Sequence, residues 1–317
     1  METRQLGNSD MHITRVGLGA WAIGGEWIYG WGPQDDDDSI ATIHRALDGG
    51  INWIDTAAAY GLGRSEEVVG RAVRERSEKP YIFTKCSIVW DAGRNVGHSL
   101  KADSVRQEAE ASLRRLGVES IDLYQIHWPN PDDEVEEGWQ TLIELQNEGK
   151  LRYIGVSNFN VSQLKRIERF APVTSLQPPY SLIAPDVDRE ILPYCLERGI
   201  GVIVYSPMGS GLLTGKMTPE RVSALHETDW RRSNPRFQEP RLSRHLRLVE
   251  ILKDIGKDHG CTAGEVAVAW TLRNPAVTAA IVGMRRPDQV DGVIHGADVE
   301  LTDQDLERIE NFVKENP

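Results

Sequence analysis

Eight short apolar runs recur along the chain, and most are followed by a stretch whose apolar residues fall at helical spacing; this alternation constrains the fold more than any other feature. The runs occupy residues 16–19, 51–55, 81–85, 121–126, 153–156, 174–177, 201–205 and 278–282. Between them, Ile40, Ile43 and Leu47 share one helical face, as do Val105, Ala109, Leu113 and Leu116, and Val135, Trp139, Leu142 and Leu145. Several of these helices end in glycine, at Gly49-Gly50, Gly117, Gly149 and Gly199, which supplies the left-handed cap. No linker interrupts the series, so its 317 residues read as one closed (β/α)8 TIM barrel, a single domain over 1–317, rather than two open sheets. Residues 24–33 and 207–242 read as loops over one barrel end. Residues 3–6 and 12–14 read as a hairpin plugging the other. Thr302 and Asp305 open a final helix striped by Leu306, Ile309, Phe312 and Val313, expected outside the barrel.

A chain that is 40% hydrophobic and 26% charged can bury a full core, which excludes disorder and disulfide-knot scaffolds. Forty-eight acidic against thirty-six basic residues give a net charge of −12, a field that repels phosphate backbones, so no nucleic-acid partner is expected. No apolar run approaches the roughly 18 residues of a bilayer span, and Met1-Glu2-Thr3-Arg4 opens no signal peptide. The expectation is a cytoplasmic protein without membrane contact. Cys86, Cys195 and Cys261 are scattered, with no CxxC pair, so neither a disulfide framework nor a metal site is expected.

In such a barrel the chemistry sits where strands end at their carboxyl side. Here those ends carry Asp55, Lys85, His127, Ser157-Asn158, Gln177 and Tyr205-Ser206, and Tyr60 follows Asp55 through a loop of small residues. Singly, each has an ordinary structural explanation. Together they are costly to explain as packing, since an unpaired buried polar head costs about 1–3 kcal/mol. Asp55, Tyr60, Lys85 and His127 read as a tuned acid. The Lys85 ammonium is expected to lower the phenol from its usual value near 10, Asp55 to keep the lysine charged, and His127 to orient a substrate oxygen.

Asp55-Thr56-Ala57 with Tyr60-Gly61, Thr84-Lys85, Ile126-His127-Trp128, Gly155-Val156-Ser157-Asn158-Phe159, Leu176-Gln177-Pro178-Pro179-Tyr180 and Tyr205-Ser206-Pro207 together resemble the aldo-keto reductases. The segments from Gly17 to Gly25 and from Gly211 to Lys216 look most similar to a bacterial branch that includes general-stress and inositol-operon reductases. The resemblance implies an NADPH-dependent oxidoreductase that reduces aldehydes and ketones to alcohols. Tyr60 would be the general acid, Lys85 and Asp55 would tune it, and His127 would position the carbonyl. The implied cofactor-binding set is Ala20, Trp21, Asp55, Ser157, Asn158, Gln177, Tyr205, Ser206, Pro207, Met208, Ser210, Lys216, Gly283, Arg285 and Gln289, with Tyr205 stacking on the nicotinamide. The adenosine end departs from the family pattern, with Gly283 where many members carry lysine and with Gly292 and Val293 further on. Arg285 and Arg286 remain, just before Pro287, and are the reason NADPH is favoured.

Arg231, Arg232 and Arg236 form a second basic cluster, either closing over the cofactor or lying solvated on a loop. Trp27, Trp90 and Trp128 fall in presumed strand-to-helix loops, with Trp21 and Trp31, and could wall a substrate pocket or pack in the core. Gly17-Leu18-Gly19-Ala20-Trp21-Ala22 fits a GxGxxA fingerprint, yet the glycine-rich residues after it cannot form the helix that a Rossmann motif needs. Asp35–Asp38 lacks metal-ligand spacing and suits a helix amino terminus. Two other functions fit the same chain: an aldolase using Lys85 as Schiff-base nucleophile, which leaves Tyr60 and the amides without roles, and a nucleotide-binding regulatory subunit.

Overall fold

The computed structural model describes residues 1–316. The chain opens with an antiparallel hairpin, β1 (Thr3–Gln5) and β2 (His12–Thr14), whose Leu6, Met11 and Ile13 pack against Trp53, Phe83, Leu123 and Ile203 and seal the amino-terminal end of the barrel. The Trp53 indole donates to the Thr14 carbonyl at 2.8 Å, tying the plug to the sheet.

Eight parallel strands close the barrel in sequence order: β3 (Val16–Gly19), β4 (Trp53–Asp55), β5 (Tyr81–Cys86), β8 (Ile121–Ile126), β9 (Leu151–Ser157), β10 (Ser175–Gln177), β11 (Gly201–Tyr205) and β12 (Val277–Gly283). Closure pairs β12 with β3, placing Ile281 beside Gly17. The second strand is shorter than its apolar run because Asn52 serves the plug instead, accepting from the Thr14 amide at 2.9 Å. Strand β9 is longer than its run, since Leu151 pairs with Ile121 and Ser157 with Gln177.

Ten helices are seen among the described residues: α1 (Asp36–Asp48), α2 (Arg64–Arg74), α3 (Ala102–Leu116), α4 (Val135–Asn147), α5 (Val161–Ile167), α6 (Ile191–Arg198), α7 (Pro219–Ser223), α8 (Arg241–His259), α9 (Ala263–Leu272) and α10 (Asp303–Glu315). Asp35 caps α1 by accepting from the Asp38 amide, and Thr302 with Asp305 forms a capping box on α10, which packs on α8 outside the barrel. None of the helices described is long and apolar enough to cross a membrane.

Two features depart from the sequence reading. A second hairpin, β6 (Ile88–Trp90) with β7 (Val96–His98), follows β5, turned by Asp91 accepting from the Asn95 amide at 2.9 Å. These strands are only three residues each, too short to show alternation. The 207–242 stretch is also more than a loop. It carries α7 and several 3₁₀ turns, and it has its own apolar cluster of Leu212, Met217, Val222, Phe237 and Leu242.

Gly17 is required by packing: a Cβ there would land inside the Trp53 ring. Gly17→Ala is expected to cost about 1–3 kcal/mol through overpacking, read as a lower urea midpoint with unchanged slope; an unaltered midpoint would show that the ring moves aside freely.

Candidate active site

At the carboxyl end of β4 the chain turns through the buried Ala57, Ala58 and Ala59, the Tyr60 amide donating to the Ala57 carbonyl at 3.1 Å. The result brings four side chains from three strand ends together. Lys85 Nζ donates to Asp55 Oδ2 at 2.7 Å, to the Thr56 carbonyl at 2.8 Å and to Tyr60 Oη at 3.4 Å. The ammonium also lies 5.1 Å from the centre of the Tyr60 ring. His127 meets that ring edge-on, with centroids 5.7 Å apart at 80°. Lys85 is 1% exposed and Asp55 2%, so the ion pair is dry.

The electrostatics differ from the simplest expectation. Burial, and next the Asp55 carboxylate, push the Tyr60 phenol well above its ordinary value. Burial likewise pushes the Lys85 ammonium down, opposed by Asp55. The loss of water around the buried phenol, with the Asp55 carboxylate beside it, outweighs the pull of the Lys85 ammonium toward the phenolate. Tyr60 is therefore held protonated, ready to donate. Burial and the Lys85 charge hold the His127 imidazole well below its usual range, in the neutral form.

A ring of amides and hydroxyls continues the mouth. Gln177 Nε2 donates to Asp55 Oδ1 at 2.8 Å. Ser157 Oγ donates to the Gln177 carbonyl at 2.8 Å. Asn158, at φ 64°, donates to the His127 carbonyl at 2.9 Å and accepts from the Tyr205 hydroxyl at 2.9 Å. Ser157, Asn158, Gln177 and Tyr205 thus stand side by side, beside the ion pair. Ala20 is buried next to them, its amide donating to the Asp55 carbonyl at 2.8 Å. After Tyr205, Ser206, Gly209, Ser210 and Gly211 all have φ between 56° and 96°. The turn closes on itself, with the Gly209 amide donating to the Ser206 carbonyl at 2.9 Å and the Gly211 amide to the Met208 carbonyl at 3.2 Å. Pro207 and Met208 are buried within it, and Lys216 is exposed at its far end.

Trp21 is half-buried over the mouth, stacked on Trp230 at 5.3 Å and on Tyr60 at 6.2 Å. Trp27 lies 6.5 Å from Tyr60. Trp128 is 43% exposed at the rim. Trp90, on β6, lies under the Arg115 guanidinium at 6.0 Å.

The basic residues separate into different tasks. The Arg285 guanidinium donates to Gln34 Oε1 at 2.7 Å and to the carbonyls of Trp31 and Pro33 at 3.0 and 2.5 Å, so it braces the loop after β3. Gln289 accepts from the Arg285 amide at 2.7 Å. Arg286 is exposed, paired with Asp288, and Gly283 is an open strand end. Arg231 is drawn inward, 4.4 Å over the Trp31 ring and paired with buried Asp229 at 2.7 Å, while Arg232 and Arg236 are exposed. Trp31 and Asp229 form a β-bridge, and the Trp230 amide donates to the Gly30 carbonyl at 3.0 Å. Sequence reasoning missed Trp230, Asp229 and Gln34, whose roles come from two loops meeting two hundred residues apart in the chain.

The chain and its barrel have known counterparts. Residues 15–314 match the Aldo/keto reductase family, and the chain belongs to that family of oxidoreductases. It is 38% identical to Aldo-keto reductase YhdN of Bacillus subtilis (strain 168), covering 100% of this chain and 94% of that protein. It is 33% identical to the NADH-specific methylglyoxal reductase of Escherichia coli (strain K12), covering 96% of each. Among solved structures it is similar to the glycerol dehydrogenase AKR11B4 from Gluconobacter oxydans, with TM-score 0.90, 38% identity and coverage of 100% of this chain and 97% of that one.

Lys85→Met strands a buried carboxylate and is expected to cost about 3–5 kcal/mol, measured by chemical denaturation. The same change removes the positive charge facing His127, so NMR should find the imidazole titrating at higher pH than in the parent. A ring that titrates unchanged would show that Lys85 does not set its charge state.

Proposed function

We propose that the protein reduces aldehydes and ketones to alcohols with a nicotinamide nucleotide, Tyr60 serving as general acid. The observation that carries this reading is the phenol held protonated within 3.4 Å of the Lys85 ammonium, with a neutral imidazole against its edge. The names of two relatives, one a reductase and one a dehydrogenase, support an activity that runs between carbonyl and alcohol.

The donor set fits the nucleotide. Gln177, Asn158 and Ser157 offer the mixed donors and acceptors that a carboxamide needs, and the Tyr205 ring lies beside them. The turn from Ser206 to Gly211, with the Ser206 and Ser210 hydroxyls and Lys216 at its far end, would border the pyrophosphate. Ala20, Trp21, Met208 and Gln289 would border the bound nucleotide. When bound, it supplies hydride to the carbonyl carbon.

The chain's own residues do the rest. His127 donates to the carbonyl oxygen and fixes its direction, a task for neutral imidazole. The Tyr60 hydroxyl gives its proton to that oxygen as negative charge develops there. The phenolate left behind is stabilised by Lys85, which Asp55 and the Thr56 carbonyl keep charged and in place. All three Lys85 protons have acceptors, which leaves no free amine and weighs against a Schiff-base aldolase. Trp21, Trp27, Trp230 and Trp128 would wall the substrate and exclude water.

We infer NADPH as the preferred nucleotide, with Arg286 and Lys216 on the adenosine 2′-phosphate. Both are exposed cations near Asp288, whereas Arg285 reaches the nucleotide through the loop it braces.

Tyr60→Phe should lower carbonyl reduction by about 10²–10⁴-fold, the usual worth of a general acid, while fluorescence titration shows nucleotide binding intact; unchanged turnover would exclude this acid, and a regulatory subunit would show no turnover to lose. Assayed with both nucleotides in parallel, Arg286→Ala should raise the KM for NADPH about tenfold, one charge-assisted contact, and leave that for NADH alone. Equal use of the two nucleotides by the parent would remove the phosphate role.

A further inference from the structure

Two residues beyond Lys85, at the carboxyl end of β5, Ser87 is wholly buried and stands at φ 85°. A side chain with a Cβ adopts that left-handed conformation only where its surroundings enforce it. Two restraints are visible. The Ser87 amide donates to Glu108 Oε2 on α3 at 3.0 Å. The Ser87 hydroxyl takes both backbone polar groups of Trp128, donating to its carbonyl and accepting from its amide, each at 3.1 Å. Between them the His127 amide donates to the Cys86 carbonyl at 3.0 Å. The backbone that carries the imidazole is therefore stitched to residues 86 and 87 on both sides of His127. Glu108 is itself steadied by the Ser104 hydroxyl at 3.2 Å.

We propose that Glu108 is a positioning residue for carbonyl reduction: by holding the Ser87 amide it fixes the left-handed kink whose hydroxyl grips Trp128, and it thereby sets where His127 presents its imidazole. This rests on the reading of His127 as the group that orients the carbonyl. Glu108 stands on the outer helix layer and touches the site only through Ser87. The groups facing it are Ser104 and Arg115 of its own helix, Glu66 of α2, the Ser87 amide and Cys86 at the end of β5, and Tyr124 of β8. Burial pushes its carboxyl up to about 8 against the hydrogen bonds from Ser104 and Ser87. Oε2 can accept the Ser87 amide whether the carboxyl is ionised or protonated. A glutamine side chain offers the same acceptor without charge and is the conservative replacement.

The test compares Glu108→Ala, Glu108→Gln, Ser87→Ala and the double alanine variant, with Glu110→Ala on the same helix as control. Glu108→Ala should lower kcat by about ten- to a hundredfold, the range that misplacement of a reacting group by an ångström brings, with nucleotide Kd unchanged. Glu108→Gln should recover most of that loss, Ser87→Ala should match Glu108→Ala, and the double variant should be no worse than either. In 15N-histidine NMR the His127 ring signals should move in Glu108→Ala and Ser87→Ala but not in Glu110→Ala. Parental kcat in Glu108→Ala, multiplying losses in the double variant, or unmoved His127 signals would overturn the proposal. Should Glu108→Ala not fold, Ser87→Ala removes the same grip without touching α3, and its kcat and ring signals decide. If the parent reduces no carbonyl with either nucleotide, the functional reading fails, and the NMR signals alone decide whether Glu108 places the ring.

Discussion

The ion pair between Lys85 and Asp55 is the interaction on which the site depends. Two opposite charges are held without water, and the desolvation penalty of such a pair can exceed its Coulombic gain unless further hydrogen bonds satisfy each partner. Here they do. The ammonium has acceptors for all three protons, and the carboxylate takes the Gln177 amide on its second oxygen. Those bonds reach from β4 and β5 across the barrel to β10, so the charges also fix the relative height of three strand ends. The phenol, the imidazole and the amide ring are arranged around this pair.

The aromatic roof depends on the pair less directly. Trp21 stacks between Tyr60 and Trp230, and Trp230 arrives on a segment pinned by Asp229, Arg231 and the Trp31 backbone. Arg285, just beyond the neighbouring strand β12, holds the partner segment after β3. A low-dielectric enclosure follows, in which a hydrogen bond from Tyr60 or His127 is stronger than it would be in water. The same enclosure drives both groups to their neutral forms, so the chemistry relies on a proton already in place rather than on a phenolate formed beforehand.

Much of this was legible in the sequence, and for identifiable reasons. The barrel strands are near-continuous apolar runs, and their polar terminal residues stand out against that background; Asp55, Lys85, Gln177 and Tyr205 could be found by position alone. The short β6–β7 hairpin carries no periodicity, and the Trp230 contact joins two loops whose residues show no pattern of their own. Arg285 illustrates a different gap: its charge and its place before Pro287 suggested a phosphate, but backbone carbonyls of a loop 250 residues earlier occupy its donors, and carbonyl acceptors leave no mark on side-chain identity. The direction of the Tyr60 shift is not legible in residue identities, because its largest cause, burial, exists only once the chain is folded.

The pairing of β12 with β3 also has a bearing on how the molecule is made. The first barrel strand has its partner on one side more than 250 residues later in the chain, so that edge stays open until β12 has been made. An unpaired apolar edge is a template for association with other chains. The buried face of α9, which leads into β12, adds a late hydrophobic segment to the same wait. Slow translation or crowding by nascent neighbours would therefore act on this protein most strongly before its final strand is delivered.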